Sequence, residues 1–186
     1  MGFEALMVQN IQHYFLQSTL DVGIAVFLAR WLILGNVFLA AFLALSGQPK
    51  KIHAIGEAVW SLIVALTLTS LIALVVHRAR PYLGDAGIEL LIPQPLNSSF
   101  PSGHTASAIS VALPFLLASR GVGLTALVIA VLVMLGRMAV GVHYPTDLLG
   151  GIVIGAVSFA LVRVAHRELR TRDIIKTVRA WRKAAR

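Results

Sequence analysis

Two histidines, two arginines, an aspartate and a glycine turn lie in three short polar clusters of an otherwise apolar chain. The clusters are Arg80-Pro81, then Pro101-Ser102-Gly103-His104, then Arg137 followed by His143 and Asp147. These residue types suit phosphoryl transfer, which needs a nucleophile, an acid and a clamp for anionic oxygens. Ser102-Gly103-His104 reads as the opening of a helix, where free backbone N–H groups and partial positive charge bind phosphate. Gly103 permits close backbone approach, and the Ser102 hydroxyl adds a donor. Pro145 has the φ of a first helical turn. That places Asp147 near a helix start, within reach of His143. A carboxylate beside an imidazole fixes its tautomer and leaves one ring nitrogen free to attack phosphorus. Arg80 and Arg137 can grip non-bridging oxygens and stabilise transition-state charge. His104 is left as the general acid for the departing oxygen. Helix capping alone would account for Ser102 and Asp147, but for neither His104 nor the arginines. A metal at His143 is not expected, because no further His or carboxylate sits at ligand spacing.

The elements that must position these groups are written in the composition. The 186 residues are 58% hydrophobic, with a mean hydropathy of +0.83, no cysteine and a net charge of +8. Such apolar content exceeds that of soluble domains and implies one integral membrane domain over residues 1–186. A span takes about 20 apolar residues, and five stretches supply one or nearly so. They run from about Asp21 to Ser46, Ala54 to Val76, Gly103 to Ala118, Val122 to Val140, and Pro145 to Val162. Residues Phe3 to Leu20 alternate differently: Leu6, Met7, Ile11, Tyr14 and Phe15 share a face, with Gln9, Asn10, Gln12, His13 and Gln17 opposite. This spacing predicts an amphipathic interfacial helix. The fold class is therefore all-α, a polytopic bundle of five spans plus that helix. No basic leader precedes it, so no cleaved signal peptide is expected. Residues 77–102 form a long connection rich in Pro, Gly, Asn and Ser. Loops of that length tend to be functional or disordered, and its Leu90, Leu91, Ile92 and Leu96 suggest that part of it dips into the interface.

Charge orients the bundle. With five spans, Lys50-Lys51, Arg120 and the basic tail from Arg163 to Arg186 share one face, and the three clusters share the other. The positive-inside rule puts the tail in the cytoplasm and the clusters outside. The tail suits an anionic membrane surface better than nucleic acid.

The clusters resemble the three-part signature of the type 2 phosphatidic acid phosphatase family of membrane lipid phosphatases. That signature is a Lys, six residues and Arg-Pro; then Pro-Ser-Gly-His; then Ser-Arg, five residues, His, three residues and Asp. Arg80-Pro81 matches the end of the first part and Pro101 to His104 the second. Gly136-Arg137, His143 and Asp147 match the third, with Gly136 in place of Ser. The resemblance implies His143 as nucleophile of a phosphohistidine, Asp147 as its orienter and His104 as proton donor. It implies Arg80, Arg137, Ser102 and the Gly103 amide as the phosphate cradle, and neither metal nor cofactor. The family's Lys falls at Ala73, so Arg78 is the candidate to supply that charge. The segments Leu91-Ile92-Pro93 through Phe100 and Gly141-Val142-His143-Tyr144-Pro145 resemble the small bacterial undecaprenyl-pyrophosphate phosphatases. The implied reaction removes phosphate from undecaprenyl pyrophosphate at the outer face of a bacterial inner membrane. Phosphatidylglycerophosphate, lipid A 1-phosphate, phosphatidic acid or diacylglycerol pyrophosphate are alternative substrates. A lipid phosphotransferase and a non-catalytic transporter are alternative classes. The transporter requires a continuous polar lining that these spans lack.

Other polar residues read as structural. Arg30 and Asn36 in the first span call for partners or snorkelling. Glu57 suits a pair with Lys50 or Lys51. His53, His77 and His166 read as boundary residues, and Gly150, Gly151 and Gly155 as a surface for close helix packing.

Overall fold

The computed structural model describes residues 2–84, 87–94 and 97–184, the side chains of 169–184 excepted. Everything regular in it is helical: α1 (Phe3–Phe15), α2 (Thr19–Arg30), a 3-10 turn (Leu32–Leu34), α3 (Gly35–Leu45), α4 (Pro49–Val75), α5 (Pro81–Gly84), α6 (Gly103–Ala118), α7 (Arg120–Ala139) and α8 (Pro145–Ala184). Among the described residues α4, α7 and α8 are long and apolar enough to cross a bilayer, and α2 with α3 makes a fourth if the bent pair is one span. Their outward faces are apolar, with Phe38 76%, Leu71 55% and Val128 58% exposed. Faces of that kind suit lipid and not water. The chain is a multi-pass membrane protein.

α6 has the bounds expected from the sequence, but its 16 residues cover only about 24 Å at 1.5 Å each. It is the central helix, packed against α4, α7 and α8. Ala106, Ala108 and Ala112 on it are fully buried. Small residues of this kind let helices approach in lipid, where close packing takes over from the hydrophobic effect. α8 answers in kind: a Cβ on Gly151 would lie 2.7 Å from the Ser102 carbonyl oxygen, and one on Gly155 2.7 Å from that of Ala106. The expected glycine surface of α8 is real.

Three expected boundaries move. The N-terminal helix ends at Phe15 and not at Leu20, because Ser18 caps a new helix by accepting the Asp21 N–H at 3.2 Å. The stretch read as one span from Asp21 to Ser46 breaks after Arg30 at the 3-10 turn, and its halves meet at 46°. The last span, expected to end near Val162, runs on without a break into the basic tail as one helix to Ala184.

The connection 77–102 is a roof over one end of the bundle. Ile88 and Ile92 are buried in it, and Ile92 joins Ala25, Ala29, Ala139 and Val142 in one core cluster. Its expected apolar contact is thus largely with protein; Leu96 lies outside the described residues. α1 is fastened to this roof. Gln12, assigned by its spacing to the polar face, is 1% exposed. Its side chain donates to the carbonyls of Glu89 (2.8 Å) and Ala139 (3.0 Å) and accepts the Glu89 N–H (2.7 Å). Loop backbone offers partners that helical periodicity cannot reveal. Meanwhile Phe3, Leu6 and Tyr14 remain exposed.

Candidate active site

The roof closes over the end of the bundle where α4 and α7 finish and α6 and α8 begin. Beneath it lies a cavity of about 390 Å³ walled by Arg80, Gly103, His104, Arg137 and His143. All three sequence clusters therefore contribute to one space.

Each group is held there for a local reason. Ser102 is the N-cap of α6: its hydroxyl accepts the Thr105 N–H at 3.5 Å and lies 3.1 Å from the Thr105 hydroxyl. Its own N–H donates to the Asp147 carbonyl at 3.0 Å, tying the starts of α6 and α8 together. Ser102 is fully buried in that role, and Gly103 and His104 form the cavity wall. His143 follows a turn at Gly141, whose φ of +77° favours glycine. A Cβ on Gly141 would also lie 2.4 Å from the Glu89 carbonyl oxygen. Gly136, where the signature has Ser, faces α2: a Cβ there would sit 2.5 Å from the Ala29 nitrogen.

His143 is 3% exposed and its Nδ1 lies 3.5 Å from Asp147 Oδ2. That is an electrostatic contact longer than a formed hydrogen bond; such contacts tighten when substrate binds. Burial pushes the His143 imidazole down to about 4, against the pull of Asp147 and with the help of the Arg137 and Arg80 charges. At neutral pH the ring is therefore uncharged, with a lone pair available.

Asp147 is fully buried. Its Oδ2 accepts the Tyr144 N–H at 2.8 Å, and its Oδ1 accepts from Arg78 Nη1 at 2.7 Å. Arg78, expected from the sequence to reach the phosphate, is thus engaged elsewhere. It also donates to the Thr146 hydroxyl at 2.6 Å, donates to Glu4 Oε2 at 2.6 Å, and packs 4.3 Å from the centre of the Tyr144 ring. Burial would lower its pKa, but Glu4 and Asp147 together raise it. Burial would likewise raise Glu4, yet hydrogen bonds from Thr146 and Arg78 hold it below the usual carboxylate range. Ala73, at the position of the family's lysine, does line the cavity.

The two cavity arginines are in a different state. Arg80 and Arg137 are 3% and 2% exposed. Arg80 donates to the Val142 carbonyl (2.9 Å), Asn97 Oδ1 (2.7 Å) and the Ser98 carbonyl (3.2 Å), and Arg137 to Gln94 Oε1 (3.2 Å). Among the described residues neither has a carboxylate at ion-pair distance. Among the described residues the buried Nε of each has no hydrogen-bond partner. A buried charge without a counter-ion is costly, so the cavity is prepared for an anion. The neutral amides of Gln94 and Asn97 orient the guanidiniums without cancelling them. The sequence alone gives no role to Gln94, Asn97 or Glu4; Gln94 and Asn97 lie in the run from Leu91 to Phe100 that leads into Pro101.

The chain resembles known proteins in sequence and in fold. Residues 54–170 match the PAP2 superfamily. Undecaprenyl-diphosphatase BcrC of Bacillus subtilis is 30% identical over 81% of this chain and 76% of its own. Decaprenylphosphoryl-5-phosphoribose phosphatase of Mycobacterium tuberculosis is 35% identical over 71% of this chain and 69% of its own. The crystal structure of Aquifex aeolicus LpxE superposes with a TM-score of 0.71 at 21% identity, covering 87% of this chain and 95% of that one; it bears on the fold alone. The chain belongs to the PAP2 superfamily of membrane lipid phosphatases. It is a membrane hydrolase of that family, with undecaprenyl-diphosphatases among its relatives.

Proposed function

We propose that this protein hydrolyses the terminal phosphate of a polyprenyl pyrophosphate, with undecaprenyl pyrophosphate converted to undecaprenyl phosphate and inorganic phosphate. The observation that carries the reading is the pair of buried, carboxylate-free guanidiniums facing two imidazoles in one cavity. The names of the two relatives above both specify a polyprenyl-linked phosphate, which supports the substrate class.

In the proposed reaction Arg80, Arg137 and the Gly103 amide hold the terminal phosphate, and Nε2 of neutral His143 attacks its phosphorus. The P–N bond forms as the bridging P–O bond breaks, and His104 gives its proton to the departing lipid phosphate. Water then attacks the phosphohistidine, returning a proton to His104 and releasing inorganic phosphate. Asp147 stabilises the charge that His143 acquires. Arg78 and Glu4 hold Asp147 in place, and Ser102 sets the start of α6. The lipid tail enters sideways between helices. We also propose the five-span arrangement: α2 with α3, α4, α6, α7 and α8, with α1 in the interface, the cavity on the outer face and the tail in the cytoplasm. The short central α6 is the span that neighbouring helices must shield.

The test is phosphate release from a panel of lipid phosphates and pyrophosphates by the purified protein, with and without chelator. Undecaprenyl pyrophosphate should be turned over with the highest kcat/KM. A clear preference for phosphatidylglycerophosphate, phosphatidic acid or a lipid A phosphate would reassign the substrate. A phosphorylated acceptor in place of free phosphate would make it a transferase.

A further inference from the structure

The opposite end of the bundle holds a second polar cavity. His53 precedes Ala73 on α4 by twenty residues, about 30 Å at 1.5 Å per residue. The cavity has about 290 Å³ and is lined by Lys50, His53, Glu57, Arg163 and His166 among others. Glu57, whose side chain is 6% exposed, pairs with Arg163 of α8 and not with Lys50 or Lys51: its Oε2 accepts from Arg163 Nη1 at 3.3 Å. Its other oxygen faces two imidazoles. Oε1 lies 3.5 Å from His53 Nε2 and 3.8 Å from His166 Nδ1. The ligand atoms of all three residues lie within 4.8 Å of one another. The His166 Nδ1 is buried and, among the described residues, without a hydrogen-bond partner.

We propose that His53, Glu57 and His166 bind a divalent transition-metal ion of the zinc class. Two imidazole nitrogens and one carboxylate oxygen form a zinc ligand set with a fourth position left open. The spacing exceeds the roughly 3.3 Å between ligands of a tetrahedral ion, so the site closes on binding. His53, with its side chain 63% exposed, is the ligand free to swing in. Arg163 on the far oxygen orients the carboxylate, as an outer-shell partner does. The site is far from the proposed phosphoryl chemistry. Its ion joins α4 to α8 where the basic tail leaves the bundle. Linear spacing pairs His53 with Glu57, four residues apart on one helix; the third ligand arrives only through α4–α8 packing.

The experiment uses the full chain, purified in detergent through a tag without histidine and stripped with chelator. Cobalt(II) and zinc(II) are titrated separately. One equivalent of cobalt should give the intense visible bands of tetrahedral coordination, and zinc should raise the melting temperature by several degrees. His53→Ala and His166→Ala should each weaken zinc binding at least tenfold, whereas His104→Ala should leave it unchanged. The proposal is overturned if the unmodified chain shows no tetrahedral cobalt spectrum at one equivalent. It is equally overturned if the His53→Ala, His166→Ala double variant binds as tightly as the unmodified chain, or if inorganic phosphate stabilises the protein through this pocket and zinc does not.

Discussion

The two ends of this bundle are built from the same residue types and are paired in different ways. At the roofed end, Arg80 and Arg137 are buried without a carboxylate, and the nearby Asp147 is engaged by Arg78 and His143. At the other end the buried carboxylate of Glu57 already has its arginine, and two imidazoles share its free oxygen. What is left over decides the ligand: surplus buried cations call for a phosphate, and a carboxylate oxygen between two imidazoles for a metal ion. The presence of His and Arg together does not separate the ends; the pairing does.

Histidine substitutions give the largest contrast. His143→Ala should lower kcat/KM by at least about 10³-fold, as loss of a nucleophile does, with folding and membrane insertion intact. His166→Ala should leave hydrolysis within about twofold, since it touches no reacting atom. Near-normal turnover by His143→Ala would erase the distinction.

Arginine substitutions come next. Arg137→Met should cost about 10²–10³-fold in kcat/KM, the scale of one lost transition-state donor. Its melting temperature should hold or rise, because a buried charge without a counter-ion has gone. Arg163→Met should do the reverse. Activity per folded molecule stays, and stability falls by about 1 kcal/mol, a value discounted because the Arg163 side chain is one-third exposed. If both variants lose stability equally, the arginines are not in different states.

A smaller effect sharpens the role of Arg78. Arg78→Ala and Glu4→Gln should lower kcat by about tenfold or more through a misplaced Asp147, with KM little changed. Ala73→Lys should help less than Arg78→Ala hurts. A rise in KM alone for Arg78→Ala would mean that Arg78 binds the phosphate directly. The acid limb of kcat/KM gives an independent reading. Protonated His143 cannot attack, so the rate should fall as pH drops through about 4. Arg137→Met removes a charge that lowers His143 and should move that limb to higher pH. Asp147→Asn removes one that raises it and should move the limb lower.

The smallest effect concerns Gly136. Restoring the signature with Gly136→Ser should destabilise the protein by about 1–3 kcal/mol, because the new Cβ meets the α2 backbone at 2.5 Å. An unchanged melting temperature would show that α2 and α7 can separate freely.

What was legible in the chain follows a physical line. The bounds of α6 and the start of α8 were plain, because Ser102 and Pro145 signal helix starts through local chemistry. The convergence of Arg80, His104, Arg137 and His143 was legible through span parity. The break after Arg30 was not, since α2 and α3 are apolar on both sides of it. Nor was the burial of Gln12, whose partners are loop carbonyls distant in sequence. The pairing of Arg78 was not legible either, because its counter-ions, Glu4 and Asp147, lie 74 and 69 residues away. The pairing of Glu57 with Arg163, across 106 residues, was hidden for the same reason. Local grammar reports where a charged residue sits, and only packing reports what it is paired with.

The most direct measurement is to trap the covalent intermediate. Purified protein is mixed with undecaprenyl pyrophosphate carrying a labelled terminal phosphate and quenched with base within one turnover. The account predicts label on the protein that survives base and is lost in acid, mapped to His143 and absent from His143→Ala. Label that persists in His143→Ala, or phosphate release at full rate with no labelled protein at any time, would contradict it.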